Sequence, residues 1–331
     1  MVPELSVVIP LFDEEPNLRD LHREFSEALG AWNRPYELIL VDDGSTDDTF
    51  RVLRDLQSGD GHVRIIRLRK NFGQTAAFAA GFAYARGRLI ATADGDLQND
   101  PADIPAMVEK LDEGHDIVCG WRRERKDPWL TRGLVSNIAN WLISWTTGVH
   151  LHDYGCSLKI FRSEVIRSLR LYGEMHRFIP AIASEQGVRI HEVVVNHRPR
   201  RSGASKYGLS RMPRVMLDLV TVKFLLSYAT RPLQMFGPPG LLMGLVGAGI
   251  VCYLGYVRLF AGQAIGDRPL LLLGIILLFA GMQLVTLGLL AELQARTYHE
   301  SQNKPIYVVR EVLEPANIDS PGESVVAEVN R

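Results

Sequence analysis

Asp94 and Asp96 stand one residue apart at the end of an apolar run, residues 89–93, and Gln98 follows two positions later. In an extended strand the side chains at i and i+2 share a face. The three groups are therefore expected to point the same way from the carboxyl end of a strand, where open α/β sheets bind ligands. Two carboxylates and a carboxamide are hard oxygen donors that suit Mg2+ or Mn2+, ions that commonly neutralise phosphate. A solvated acidic turn also accounts for a lone Asp-x-Asp pair, so the rest of the chain has to decide. Acids recur after two earlier apolar runs, as Asp13 and Glu14 after 5–11 and as Asp42 and Asp43 after 36–41. Helix capping explains Thr46 or Asp47 ahead of an amphipathic stretch, but not the doubling at 42 and 43. Carboxylates at the ends of adjacent parallel strands suit the edge of a nucleobase and the hydroxyls of a ribose.

Such groups need a scaffold. Short apolar runs at 5–11, 36–41, 63–68, 89–93 and 117–119 alternate with amphipathic stretches at 17–29, 47–56, 74–85, 101–111 and 132–146. This rhythm predicts an α/β fold, a Rossmann-like, mostly parallel sheet with helices on both faces. Asp100 followed by Pro101 fits a cap and first helical position. The 331 residues carry a net charge of −1, so no global field speaks for nucleic acid. Three cysteines without a paired spacing argue against a disulfide framework and a zinc site. Residues 1–20 do not read as a signal peptide, since Glu4, Asp13, Glu14 and Glu15 interrupt the apolar run, and this region is expected in the cytosol.

The composition changes after Arg231. Residues 232–257 and 269–293 read as two transmembrane helices, each as long as the roughly 20 residues that cross a bilayer. Arg211, Arg214, Lys223, Arg231, Arg296 and Lys304 flank the pair, whereas the loop carries only Arg258 and Arg268. The positive-inside rule then places both termini on the cytoplasmic side. Residues 209–231 read as an amphipathic juxtamembrane helix on the cytoplasmic leaflet, with basic residues beside an apolar face. The expected division is a catalytic domain at 1–208, this helix, the two spans, and a cytoplasmic tail at 294–331 that loses periodicity after Pro315. Intramembrane charges are lacking, which argues against transport.

Ser6-Val7-Val8-Ile9-Pro10, Val41-Asp42-Asp43-Gly44-Ser45 and Asp94-Gly95-Asp96-Leu97-Gln98 together resemble family 2 glycosyltransferases of GT-A fold. The later Arg200-Arg201-Ser202-Gly203-Ala204-Ser205-Lys206-Tyr207 narrows the resemblance to polyprenyl-phosphate glycosyltransferases, and it runs from about Leu5 to Tyr307. The resemblance implies that Pro10, Glu14, Asp42 and Asp43 bind the donor's nucleoside, joined by Asp94. It implies a metal and diphosphate site at Asp94, Asp96 and Gln98, with Mg2+ or Mn2+ as cofactor. Arg122, Arg132, Ser136, Arg200 and Lys206 match groups around the donor or acceptor phosphates, and Asp153 matches the acid usually taken as the base. Two positions depart from the pattern: Asp13 replaces a usual Asn, and Gly95 a usual Ala. Neither removes an oxygen donor from the metal site.

The activity so implied is inverting transfer of a sugar from a nucleotide sugar, with UDP-glucose favoured, to a polyprenyl phosphate such as undecaprenyl phosphate at the cytoplasmic membrane face. GDP-mannose, an aminosugar donor, or a non-catalytic membrane scaffold remain as alternatives, and a homotetramer is implied by resemblance alone. Chemistry qualifies the base role of Asp153. A phosphate monoester has a second pKa of about 6, so its oxygen is already a nucleophile at neutral pH. Asp153 is expected chiefly to orient.

Overall fold

Aliphatic, β-branched runs make buried parallel strands when helices cover both faces of a sheet, and the N-terminal half of the chain is built from them. In the structure, a computed structural model, the residues described are 2–123, 144, 148–169, 171, 175–184, 186–199, 233–266, 268–301 and 305–315. The chain divides into two compact units, Met1–Leu219 with Pro305–Arg331, and Val220–Lys304.

The first unit holds strands β1 (Leu5–Leu11), β2 (Tyr36–Asp42), β3 (Val63–Leu68), β4 (Leu89–Thr92), β5 (Ile117–Trp121), β6 (Lys159–Arg162), β7 (Ile190–Val194) and β8 (Val309–Leu313). They form one sheet in the order β7-β5-β6-β4-β1-β2-β3-β8. β1 pairs in parallel with β2 and β4, β2 with β3, and β5 with β7. β6 runs antiparallel between β4 and β5, and β8 antiparallel against β3. The sheet is thus mostly parallel but mixed. Successive strands leave β1 on opposite sides, which opens a crevice at the carboxyl ends of β1 and β4.

Helices α1 (Leu18–Trp32), α2 (Thr49–Gly59), α3 (Gln74–Tyr84), α4 (Ile104–Asp112), α5 (Ser163–Ser168) and α6 (Ile179–Ser184) accompany the sheet. Helix α1 buries Leu18, Leu21, Phe25 and Leu29, a stripe at helical spacing. That stripe joins Leu5, Val7, Ile9 and Leu11 in the main core. Val8 faces the other side, where α3 lies so close that a Cβ on Gly81 would strike the Val8 side chain. Most of α3 is buried, which explains its run of Ala and Gly.

Three outcomes differ from expectation. The strand expected at 89–93 stops at Thr92. β6, β7 and β8 had no expected counterpart. The segment 294–331, expected as a tail, instead continues a helix to Ser301 and then supplies β8 to the catalytic sheet. The expected helix at 132–146, apart from Ser144, lies outside the described residues, as do the juxtamembrane helix at 209–231 and residues 316–331.

The second unit is a hairpin of α7 (Leu233–Phe260) and α8 (Pro269–Ser301). Both contain stretches long and apolar enough to cross a membrane, Phe236–Phe260 and Pro269–Ala291. Only 22% and 11% of their most apolar windows are buried inside the protein, so most of that apolar surface is left exposed. Glycines form the seam between them. A Cβ on Gly281 would lie 2.5 Å from both the Gly240 carbonyl oxygen and the Gly244 nitrogen, the close approach that small residues permit between helices in lipid.

Candidate active site

The first two acidic motifs are laced together at the ends of β1 and β2. Asp13 donates its N–H to Ser45 Oγ at 3.0 Å and accepts from the Thr46 N–H at 2.7 Å. Glu14 donates its N–H to Thr49 Oγ1 at 3.0 Å and accepts from Asn17 Nδ2 at 2.7 Å. Asp13 has φ of 51°, a left-handed conformation that Asp and Asn tolerate best. Its departure from the family's Asn therefore keeps both the geometry and the acceptor.

Asp42 and Asp43 are buried and divide their work. Asp42 accepts from the Ser45 N–H at 2.9 Å, and its other oxygen lies 3.4 Å from Arg67 Nε. Asp43 accepts from the N–H groups of Phe72 at 2.8 Å and Gly73 at 2.9 Å, fixing the entry to α3. Burial pushes the Asp43 carboxyl up, against the pull of those two N–H groups. Gly44 has φ of 71°, and a Cβ there would strike the Lys70 backbone, so the turn accepts only glycine without strain.

Asp94 and Asp96 lie in the turn that leaves β4. A turn, not strand alternation, places them. Leu97 adopts φ of 62°, and Asp96 Oδ1 accepts from the Gln98 N–H at 3.2 Å. Gln98 in turn accepts at its carbonyl from the Arg198 N–H at 3.1 Å. A Cβ on Gly95 would lie 2.6 Å from Leu11 Cδ2, 3.5 Å from the Pro10 carbonyl oxygen and 3.8 Å from Glu14 Cγ. Pro10 and Glu14 thus stand directly against the Asp-Gly-Asp turn. Asp94 accepts from Gln74 Nε2 at 2.7 Å, at the start of α3. Burial and then the Asp96 carboxylate push the Asp94 carboxyl above its ordinary range, while Ser157, Arg122 and Lys159 draw it back.

Asp153 arrives through the antiparallel strand. β6 starts with Lys159 opposite Thr92, so the residues before β6 lie beside the turn after β4. β5 ends on the other side of β6, and there Arg122 meets Asp153. Arg122 Nε donates to Asp153 Oδ2 at 2.7 Å and Nη2 to Oδ1 at 3.0 Å, a two-point fork. The Gly155 N–H adds a donor at 3.1 Å, and Asp153 is 1% exposed. Burial opposes the charge on Arg122, but Asp153 outweighs it and raises the guanidinium pKa further. Glu192 on β7 holds the loop from outside, accepting from the N–H of His152 at 2.9 Å and of Asp153 at 3.3 Å.

Several residues of the site were not among the expected ones. Gln74, Ser157, Lys159, His176 and Arg177 line one small cavity with Asp94. Lys159 set among the apolar Leu158, Ile160 and Phe161 was a readable signal. His176 reads in sequence as an ordinary packed histidine, and it is indeed buried, its Nδ1 joined to Thr75 Oγ1 at 2.8 Å. Its place beside Asp94 depends on a contact that sequence spacing cannot show. Arg132, Ser136, Arg200 and Lys206 lie outside the described residues.

A mostly parallel sheet with acids gathered at its switch point defines a GT-A type glycosyltransferase fold. Residues 6–170 match glycosyl transferase family 2, and the chain belongs to that family. It is 48% identical over 317 residues to the dodecaprenyl-phosphate galacturonate synthase of Rhizobium johnstonii, covering 94% of this chain and 93% of the relative. Among solved structures it resembles glucosyl-3-phosphoglycerate synthase of Mycobacterium tuberculosis. The complex with Mn2+, UDP and glucosyl-3-phosphoglycerate matches with a TM-score of 0.53 at 19% identity, covering 67% of this chain and 79% of that one. The complex of the same enzyme with Mn2+, UDP-glucose and phosphoglyceric acid gives 0.52 at 19% identity, over the same shares. These two likenesses establish the fold.

Proposed function

We propose that this chain transfers a sugar, with inversion, from a nucleotide sugar to a polyprenyl phosphate at the cytoplasmic surface of a membrane. The observation that carries the reading is the near-full-length similarity to a dodecaprenyl-phosphate sugar synthase. The acidic switch-point site and the two apolar helices on the same chain support it.

Asp42 and Glu14, with Pro10 beside them, hold the nucleoside at the ends of β1 and β2. Asp43 serves the same site by fixing the loop at Phe72 and Gly73. Asp94 and Asp96 fit a divalent cation, because burial and then the neighbouring Asp96 carboxylate push the Asp94 carboxyl up, and a cation offsets both the buried charge and the repulsion. Among the described residues no group of three or more His, Cys, Asp or Glu is placed to hold a metal, so Gln98 and the donor's phosphate oxygens are left to complete the shell. Mg2+ and Mn2+ both accept such oxygen-rich sites. When bound, the cation neutralises charge on the departing diphosphate.

Arg122 adds a fixed positive charge beside that group, of the kind that lowers a barrier most when it is already in place. Arg132, Ser136, Arg200 and Lys206 take acceptor or donor phosphates in this proposal, on the resemblance alone. The acceptor phosphate needs no base, so Asp153 orients Arg122 and the acceptor. The sugar is the finer question: the resemblance favours glucose, whereas the Rhizobium relative is named for galacturonate.

The direct test is the full-length protein in detergent with undecaprenyl phosphate, Mn2+ or Mg2+, and a panel of nucleotide sugars, read by the mass of the lipid product. One hexosyl or hexuronosyl adduct is expected, lost with chelator and lost in Asp96→Asn. A folded wild-type chain that glycosylates no prenyl phosphate from any donor sinks the proposal.

A further inference from the structure

We infer that Glu311, on the strand that follows the hairpin, is a positioning residue for the donor: it holds the Arg67 guanidinium off Asp42 and so keeps one oxygen of Asp42 open for the nucleoside. This deepens the sugar-transferase reading above and rests on its placing of Asp42 in the nucleoside site.

Three charged residues form one row across the sheet. Asp42 of β2 stands opposite Arg67 of β3, and Arg67 stands opposite Glu311 of β8. Cross-strand partners share a face, so acid, base and acid meet side by side. The row lies at the carboxyl end of β2, and the pairing of β3 with β8 shifts register directly after it, between Arg67 and Leu68. The guanidinium is held on three sides. Nη1 donates to Glu311 Oε1 at 3.2 Å, Cζ lies 3.8 Å from the centroid of the Phe50 ring on α2, and Nε faces Asp42 Oδ2 at 3.4 Å.

That last contact is too long for a good hydrogen bond. Asp42 Oδ1 is filled by the Ser45 N–H at 2.9 Å, whereas Oδ2 has no hydrogen-bond partner among the described residues, although Asp42 is 0% exposed. A buried oxygen without a donor is costly, and beside a nucleoside it is satisfied by a ribose hydroxyl or a base N–H. An unrestrained arginine would satisfy it first, because guanidinium and carboxylate close into a two-point fork. Arg122 and Asp153 do so in this same site. With Nη1 drawn to Glu311 and the guanidinium resting on Phe50, Arg67 is kept from advancing on Asp42. It supplies positive charge and leaves Oδ2 open.

Glu314, further along β8, serves another purpose. It meets Arg64 and Arg86, and Arg64 pairs in register with Ile39, three positions before Asp42. Glu314 thus seats the strand away from the nucleoside and provides the control.

The test measures binding of UDP and of GDP, each with Mn2+, to the full-length protein in detergent by calorimetry. Glu311→Gln is expected to weaken whichever nucleotide the wild type binds by about tenfold, the scale of one hydrogen bond to a charged group. Glu311→Asp should fall between, and KM for undecaprenyl phosphate should change less than about twofold in either variant. Glu314→Gln should lower the melting temperature yet leave nucleotide affinity within about twofold. In an Arg67→Gln background, Glu311→Gln should add less than about twofold, because the group it restrains is gone. Unchanged affinity in Glu311→Gln, or the same loss with Arg67 replaced, overturns the inference. An equal loss in Glu314→Gln does so too, since the seating of β8, and not the restraint on Arg67, would then be the cause. A wild type that binds neither nucleotide fails earlier: it removes Asp42 from the nucleoside site, and the role of Glu311 with it.

Discussion

At the scale of single residues, the Arg122–Asp153 fork is the feature most open to experiment. A general base needs a free lone pair and a pKa near the working pH. Asp153 instead gives Oδ2 to Arg122 Nε at 2.7 Å and Oδ1 to Arg122 Nη2 at 3.0 Å and to the Gly155 N–H. Both carboxylate oxygens are thus engaged by the half-buried Arg122 guanidinium, which is the arrangement of an anchor. The acceptor phosphate, with a second pKa of about 6, brings its own nucleophilic oxygen. Asp153→Asn is therefore expected to lower kcat by about 10²-fold, because the guanidinium loses its charged partner, while the acidic limb of the kcat pH profile persists. Profiles of wild type and variant between pH 5 and 9, with donor binding measured alongside, decide the matter. Disappearance of that limb in Asp153→Asn, with binding intact, would restore the base role. Asp94 and Asp96 were legible from local spacing alone, whereas the Arg122–Asp153 pair was legible only through resemblance, because its members lie 31 positions apart in sequence and meet through the antiparallel pairing of β5 with β6.

Secondary-structure elements show where sequence reading succeeds and where it runs out. β1 to β4 are largely buried and read as mainly aliphatic runs, with Glu37 in β2 and Arg64 and Arg67 in β3 as the charged exceptions inside them. β6 is the four residues Lys159–Arg162, half of them cationic, and β7 carries His191 and Glu192 on a half-exposed strand. Neither pattern announces a strand, so the antiparallel delivery of Asp153 to the site stays hidden. The junction of α1, α2 and β3 was equally silent and is held by one acid. Asp60, just past α2, accepts from the His62 N–H at 2.8 Å and meets His22 Nε2 and His62 Nδ1 at 2.8 Å each. Burial alone would raise its pKa, but the His22 and His62 bonds outweigh burial and hold the carboxyl well below the ordinary range. A carboxyl depressed on folding contributes stability above its unfolded pKa of about 3.9, and that contribution fades as pH falls through the folded value. Asp60→Ala should therefore cost about 2 kcal/mol at pH 7. The gap in thermal midpoint between variant and wild type should narrow below about pH 4. A gap that stays constant across that window would show that packing, and not charge, makes the junction.

For the whole molecule, the strand that follows the hairpin constrains topology more firmly than the arginine and lysine counts do. The chain leaves the catalytic unit, runs through α7 and α8, and returns to it as β8, paired with β3 from Ile65↔Leu313 to Leu68↔Val309. The return is clasped: Arg64 Nε donates to Glu314 Oε2 at 3.1 Å, Arg86 Nη2 to the same oxygen at 3.0 Å, and Arg67 pairs with Glu311 at 3.2 Å. Arg64 is 1% exposed and also meets Glu37 at 3.1 Å, so losing β8 would strip a buried cation of one partner. A sheet cannot be completed through a bilayer. If α7 and α8 span the membrane, both their outer ends must lie on the side of the catalytic sheet, and the loop between them on the other. Cysteine labelling in a Cys252→Ser background tests this, because Cys119 and Cys156 are buried with thiols pushed up to about 12 and about 11 and so react slowly. Ala264→Cys, in the exposed loop, should react with a membrane-impermeant maleimide in right-side-out vesicles but not in inverted ones. Arg310→Cys, on the exposed side of β8, should show the reverse, as the positive-inside rule places the sheet in the cytosol. Both sites labelling from one side would mean that the hairpin lies on the membrane without crossing it, and the acceptor phosphate would then have to be met by a surface-bound enzyme.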